Sequence, residues 1–122
     1  MRGLSLMVLA GVLFAAPVLA ADGDPAAGKK AFDSRCGTCH SLDISARKMG
    51  PYLTGILGRK AGAVEGFRYT EALKNSGLTF DQATLDAFLA NPRKTVPGSA
   101  MVIGVPDAKT RADIIAYLAS AH

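Results

Sequence analysis

The chain has 122 residues, 14 of them basic and 10 acidic, for a net charge of +4 with neutral histidines. This length is typical of one domain and excludes a multidomain protein. A disulfide between the two cysteines, Cys36 and Cys39, would close a very small loop and add little stability, so the composition also excludes a disulfide-supported scaffold.

The first twenty residues have the features of a secretory signal peptide. Arg2 precedes an apolar run over residues 4–19, which closes on small residues ending at Ala20. A glycine and a proline interrupt this run, which is also short for a membrane anchor. We therefore expect a signal peptide over residues 1–20, a mature domain over residues 21–122, and no stable membrane insertion after cleavage.

Without Arg2 the domain keeps 13 basic residues against 10 acidic ones, a net charge of +3. This mild excess is compatible with nucleic acid, with an acidic protein partner, or with an ordinary solvated surface. A secreted chain has little access to nucleic acid. The charge therefore favours acidic protein partners, whose association rate it would raise.

The first predicted helix begins at Asp24-Pro25, where an N-cap carboxylate precedes a proline in the first turn. Gly28, Ala31 and Phe32 then share one helical face, a spacing that favours packing against another helix. The helix runs directly into Cys36.

Residues 41–58 are predicted to be irregular, because Gly50-Pro51 and two further glycines interrupt any regular element. Two helical turns are expected over residues 70–76, where Gly77 ends them.

The next predicted helix starts after Asp81, its N-cap, and ends at Asn91-Pro92. A last helix starts at Asp107 or at Thr110. Each of these helices has an apolar stripe, formed by Leu85, Phe88 and Leu89 in the first and by Ile114, Ile115 and Leu118 in the second.

The most specific pattern is Cys36-Gly37-Thr38-Cys39-His40, which has the spacing of a c-type haem attachment site. Residues at i and i+3 lie on one face of a helical turn, so two thiols there can each add to one vinyl group of a haem. His40 directly follows and can bind the iron through an imidazole nitrogen.

Two other interpretations of this pattern are weaker. A redox dithiol is expected at a strand-to-helix junction, and no strand pattern precedes Cys36. A structural zinc site needs four ligands, and the chain offers only the two cysteines, His40 and the terminal His122.

The sixth iron ligand is a second side chain, water or nothing. Met101 follows a Pro-Gly loop that could turn across the open haem face, although a methionine there could equally be a flexible core filler. Met49 lies nine residues after His40 and is expected to stay on the histidine side. His122, as the last residue, is expected to be solvated.

The whole mature chain resembles class I cytochrome c, in particular the soluble mitochondrial and alphaproteobacterial branch with one haem. Six segments, in the family's order, carry this resemblance: residues 28–40, Gly50-Pro51-Tyr52-Leu53 through Gly58-Arg59, Gly66-Phe67-Arg68-Tyr69-Thr70, Asn91-Pro92-Arg93-Lys94, Pro97-Gly98-Ser99-Ala100-Met101 and Ile114-Ile115-Ala116-Tyr117-Leu118. The resemblance implies an all-α fold in which four to five helices surround one covalently attached haem c.

The resemblance also implies roles for the residues of the site. Cys36 and Cys39 correspond to the thioether residues, and His40 and Met101 to the axial ligands. Three further residues correspond to family positions around the haem: Pro51, whose carbonyl accepts the histidine N–H, and Arg59 and Tyr69, which hold a haem propionate.

Other matching positions are structural, and some depart from the mitochondrial pattern. Gly28, Phe32 and Tyr117 match the contact between the first and last helices. The departures make the pocket less polar; they are Phe80 for a propionate-bonding Trp, Leu73 for an internal Asn, Phe88 for a Tyr near the Met sulfur, and Ile103 for an exposed aromatic.

The expected function is a periplasmic, monomeric electron carrier that is not an enzyme. It would transfer electrons transiently between acidic-surfaced redox proteins, a quinol–cytochrome c reductase and a terminal oxidase. The alternative is the electron-accepting subunit of a periplasmic dehydrogenase that acts on sulfite or an alcohol. A haem enzyme or gas sensor is a third interpretation, which requires that Met101 does not bind iron.

Overall fold

The computed structural model describes residues 10–13 and 23–121, which form five helices. They are α1 (Pro25–Arg35), α2 (Glu71–Lys74), α3 (Gln82–Ala90), α4 (Pro92–Thr95) and α5 (Ala108–Ser120). In this part of the chain the only extended pairing is an isolated antiparallel bridge between Lys60 and Thr79. The predicted all-α class with four to five helices is therefore confirmed.

The predicted signal peptide lies almost entirely outside the described residues, as does His122. Among the residues that are described, no helix has the length and apolar character needed to cross a bilayer.

Aspartate side chains begin the three longer helices, as predicted. Asp24 Oδ1 accepts the N–H of Ala26 at the start of α1, and Asp81 Oδ1 accepts that of Thr84 at the start of α3. Asp107 Oδ2 accepts the N–H of Thr110, so Asp107 is the residue that begins α5. Each bond satisfies a backbone donor that has no partner within the helix.

The short helix α4 was not predicted. Asn91-Pro92 does end α3, as expected, but the same two residues also begin a new helical turn. Asn91 Oδ1 accepts the N–H of Lys94 at 3.2 Å, and Pro92 occupies the first turn. Proline is tolerated there because its missing N–H would have no partner in the helix.

Helices α1 and α5 cross in close contact at a glycine. A Cβ atom added to Gly28 would lie 1.9 Å from the Asp113 carbonyl oxygen and 2.9 Å from Tyr117 Cβ. One turn later, the rings of Phe32 and Tyr117 meet edge to face, with their centroids 5.5 Å apart. The family contact between the first and last helices is thus present in this chain.

The hydrophobic core lies where α3 and α5 pack together beside α1. Phe80 and Phe88 meet edge to face at 5.4 Å, and Ile114 is the most deeply buried of the core side chains. The other buried members are Phe32, Ile56, Leu85, Leu89, Val96, Val105, Ile115 and Leu118. The predicted apolar stripes of α3 and α5 therefore both face this core.

The buried carboxylate of Asp113 joins the start of α1 to α5. Its Oδ1 accepts the backbone N–H of Asp24 at 2.8 Å and pairs with Lys109 Nζ at 2.5 Å. The Lys109 ammonium first, and then the Asp24 N–H, hold the pKa of Asp113 below its usual value. A carboxyl group with a lowered pKa stabilises the fold above its unfolded pKa, and this contribution is lost as the pH falls through the folded pKa.

We therefore predict that Asp113→Asn lowers the urea midpoint of unfolding at pH 7. The difference from wild type should shrink as the pH falls below about 4, the ordinary pKa of an aspartate. Urea titrations of both proteins from pH 7 to pH 3 would measure this. A difference that stayed constant across the range would show that the Asp113 charge does not contribute.

Candidate functional site

The two cysteines and His40 lie on one tight turn that continues from α1. The Cys36 N–H donates to the Phe32 carbonyl at 2.8 Å, and the Cys36 carbonyl accepts the N–H groups of Cys39 and His40 at 3.0 and 2.9 Å. The two cysteines are not joined to each other by a disulfide, and both are half-buried. Burial raises the pKa of the Cys36 thiol, against a smaller opposing effect of Arg35. The backbone thus forms the turn that the sequence predicted, with both cysteines and the histidine on it.

The His40 ring is held by the segment that follows the irregular residues 41–48. Its Nδ1 lies 2.8 Å from the Pro51 carbonyl oxygen. A carbonyl can only accept, so Nδ1 carries the proton and Nε2 keeps its lone pair. Burial lowers the His40 pKa, against the effect of the Pro51 bond, and favours the neutral ring. Neutral imidazole with a free nitrogen is the form that binds a metal ion.

Gly50 fits directly against this ring. A Cβ atom at Gly50 would lie 2.3 Å from His40 Cε1 and 2.5 Å from Nδ1. The Gly50 N–H also donates to the Cys39 carbonyl at 2.8 Å. A residue with a side chain could not occupy this position without moving the imidazole. This contact was not predicted, since nothing in the sequence near Gly50 indicates that a ring ten residues away approaches it.

We predict that Gly50→Ala displaces the His40 ring and breaks its bond to Pro51. A strained or lost axial ligand should alter the absorption spectrum of the haem-loaded protein and reduce its stability by about 1–3 kcal/mol, the usual cost of overpacking. Met49→Ala, at the neighbouring and largely exposed position, is the matched control and should leave both unchanged. A wild-type spectrum for Gly50→Ala would contradict this account.

Arg59 and Tyr69 are half-buried and near each other. Burial raises the Tyr69 pKa, and the Arg59 charge acts in the opposite direction. The Tyr69 hydroxyl accepts the N–H of Val64 at 3.0 Å, which leaves its own proton free to donate. Arg59 donates to the carbonyls of Tyr52 and Thr54 and keeps further N–H groups. Together these donors suit a carboxylate ligand.

Met101 and Met49 lie in very different environments. Met101 is half-buried against the hydrophobic core, whereas Met49 is 83% exposed. The buried hydroxyl of Ser99 donates to the Met101 carbonyl at 3.0 Å, which fixes the backbone after the Pro-Gly turn. Sequence analysis named the turn but missed this Ser99 bond, which depends on burial.

Half-buried apolar side chains pack against the core without being enclosed by it. They are Leu42, Leu53, Leu57, Ala61, Ala72, Leu73, Leu78 and Met101, together with Ala31, Cys36 and Tyr117. Apolar side chains near two free thiols, a neutral imidazole and carboxylate-binding donors fit the chemistry of a haem, which is apolar except for its iron and its propionates. By contrast, no group of three or more His, Cys, Asp or Glu residues suited to a metal ion occurs in the described part of the chain.

The four residues that depart from the mitochondrial pattern differ in burial. Phe80 and Phe88 are buried in the core, Leu73 is half-buried against it, and Ile103 is 68% exposed. The Phe80 side chain cannot donate a hydrogen bond. Among the described residues, Arg59 and Tyr69 are therefore the donors that correspond to the propionate-binding positions of the family.

A small helical domain with this arrangement defines the class of proteins that bind haem covalently through a Cys-x-x-Cys-His motif. Comparisons with known proteins agree. A model of the cytochrome c family matches residues 25–122. A cytochrome c2 of Rhodomicrobium vannielii is 45% identical over 118 residues, covering 95% of this chain and 93% of its own. Cytochrome c type-1 of Ascaris suum is 49% identical over 98 residues, covering 80% and 88%.

A solved structure is also similar. Cytochrome cH from Methylobacterium extorquens superposes with a TM-score of 0.74 at 49% identity, covering 80% of this chain and 99% of its own. The chain therefore belongs to the cytochrome c family and is a class I cytochrome c with one haem. Its cofactor is haem c, attached covalently through Cys36 and Cys39, and it is an electron carrier.

Proposed function

We propose that residues 21–122, after cleavage of a signal peptide at residues 1–20, form a monomeric carrier of single electrons in the periplasm. The carrier accepts electrons from a quinol–cytochrome c reductase and passes them to a terminal oxidase, and it performs no catalysis of its own. The similarity to the cytochrome c2 of Rhodomicrobium vannielii over nearly the whole chain supports this assignment.

The observation that carries the proposal is the His40 bond to Pro51. It leaves the neutral Nε2 of His40 able to bind a metal ion, on the same turn as the two cysteines. When bound, haem c supplies an iron that takes up and releases one electron. His40 and Met101 would bind this iron, and because both side chains are neutral, neither would have to change protonation when the charge of the iron changes. Arg59 and Tyr69 would hold a haem carboxylate.

If His40 and Met101 both bind the iron, their side chains would leave no coordination position open to a substrate or a gas. This closed coordination is the reason for assigning a carrier rather than an enzyme. The Met101 environment supports it, because a half-buried thioether beside a fixed turn can be held in one position.

Exposed cations and apolar side chains form the docking surface of the proposed carrier. Arg93 and Lys94 are exposed on α4, and Val102 and Ile103 are 54% and 68% exposed. Lys30 adds a further exposed cation on α1. Lys29 is also exposed, but it pairs with Asp33 at 2.6 Å, so it offers a partner less of its charge. Exposed cations and exposed apolar side chains are the groups that suit brief contact with acidic redox partners.

Two measurements test this function. Reduced haem-loaded protein exposed to carbon monoxide should change its absorption spectrum little, and the oxidised form should show the weak sulfur-to-iron band. Purification from the periplasm should give a monomer. Rapid carbon monoxide binding would overturn the closed coordination, and co-purification with a catalytic subunit would establish the dehydrogenase alternative.

A further inference from the structure

Arg59 is held from two directions by Tyr52. Arg59 Nη1 donates to the Tyr52 carbonyl at 2.7 Å, and the Arg59 Cζ lies 4.9 Å from the centroid of the Tyr52 ring. Nη2 donates to the Thr54 carbonyl. The ion pairs between side chains of the described residues do not include Arg59. Its charge is therefore balanced by two carbonyl dipoles and one aromatic face.

These contacts restrict the guanidinium more than a single bond would. The group is planar, with five N–H donors in a rigid arrangement. Two donors lead to carbonyls of one short segment, and the Tyr52 ring contacts the group as well. An aromatic face attracts a cation most strongly where water is partly excluded, and both residues are half-buried.

The same segment also holds His40. The Pro51 carbonyl bonds the imidazole, while the next residue, Tyr52, contacts Arg59 through both its carbonyl and its ring. Residues 51–54 therefore connect the histidine to the cation. Both neighbours affect the pKa of the Tyr69 phenol: the Arg59 charge lowers it and Tyr52 raises it.

We propose that Tyr52 is a positioning residue whose ring holds the Arg59 guanidinium beside Tyr69, so that this positive charge is fixed at the haem carboxylate and favours the reduced protein. The inference rests on the proposed role of Arg59 at that carboxylate. A fixed positive charge near the iron disfavours the oxidised state, which carries one more positive charge. The charge of a mobile guanidinium would be screened by water, so it would destabilise the oxidised state less.

The test compares haem-loaded variants that keep the Tyr52 backbone carbonyl. Tyr52→Leu removes the ring and should shift the redox equilibrium with a one-electron mediator about threefold toward the oxidised protein, because a less fixed guanidinium interacts more weakly with the charge of the iron. Tyr52→Gln is a second variant without the ring and should behave alike. Tyr52→Phe keeps the ring and should restore the wild-type equilibrium. The sulfur-to-iron band should persist in all three variants.

Arg59→Leu separates this inference from the proposed function. It should shift the equilibrium further than Tyr52→Leu, and adding Tyr52→Leu to it should have no additional effect, since the ring acts through the cation. If Arg59→Leu shifts the equilibrium and neither ring-free variant does, the Tyr52 inference is wrong and the Arg59 role stands. If Tyr52→Phe shifts as much as Tyr52→Leu, the hydroxyl rather than the ring is responsible. If Arg59→Leu has no effect, the proposed Arg59 role fails as well.

Discussion

Met101→Ala is expected to convert a protein that does not bind carbon monoxide into one that binds it fully in the reduced state. Alanine offers no donor atom, so a coordination position would open on the iron. The oxidised variant should lose the sulfur-to-iron band. Its redox equilibrium should move toward the oxidised form, because neutral thioether sulfur stabilises reduced iron. Absorption spectra with and without carbon monoxide would measure the first two effects, and equilibration with a one-electron mediator would measure the third.

Met49→Ala is the control for this prediction. Met49 is the other methionine of residues 21–122, and at 83% exposure it can lose its thioether without disturbing the core. It should keep the wild-type spectrum and remain inert to carbon monoxide. A Met101→Ala protein that retained the band, or a Met49→Ala protein that lost it, would remove Met101 as the ligand.

Gly28→Ala is expected to destabilise the domain by about 2 kcal/mol, because two effects of unequal size oppose each other. Alanine in place of glycine favours a helix by roughly 1 kcal/mol. Against this, the new methyl group would lie 1.9 Å from the Asp113 carbonyl oxygen, which belongs to the backbone of α5 and cannot rotate away. Separating the two helices loosens the Phe32–Tyr117 contact, and a clash this close should cost about 3 kcal/mol, the upper end of the usual range for overpacking.

Urea unfolding of the haem-loaded protein would measure this loss. Lys30→Ala, on the exposed face of the same helix, serves as the control and should lie within about 0.5 kcal/mol of wild type. If Gly28→Ala were as stable as wild type, the close approach of α1 and α5 could not be a constraint on this position.

Several features of the fold were predictable because their causes are local. Asp24, Asp81 and Asp107 each cap a helix through a backbone N–H two or three residues away, so the sequence itself contains both partners. Only one of the two structural roles of Asn91-Pro92 was predicted. It was predicted as the end of one helix, and it is also the beginning of another, since a cap and a proline serve both purposes.

Other features depend on residues that are far apart in the chain. Asp113 accepts the N–H of Asp24 across 89 positions, and the space at Gly28 is limited by the backbone of α5. The sequence pattern indicated an apolar face on each helix. The resemblance indicated that the first and last helices meet at Gly28, but the distance between them is set by packing across the whole core, which no local pattern specifies.

By itself, the sequence determined the chemistry of attachment. The order Cys36, Cys39, His40 places two thiols and an imidazole on one turn, wherever that turn lies in the fold. The resemblance to class I cytochrome c indicated Pro51 as the partner of His40, and only the tertiary structure decided how Arg59 is held. Pro51 bonds the imidazole and Tyr52 stacks on the guanidinium, because the chain folds back over gaps of 11 and 7 residues. Such contacts depend on the path of the backbone between the partners, and no short sequence pattern specifies that path.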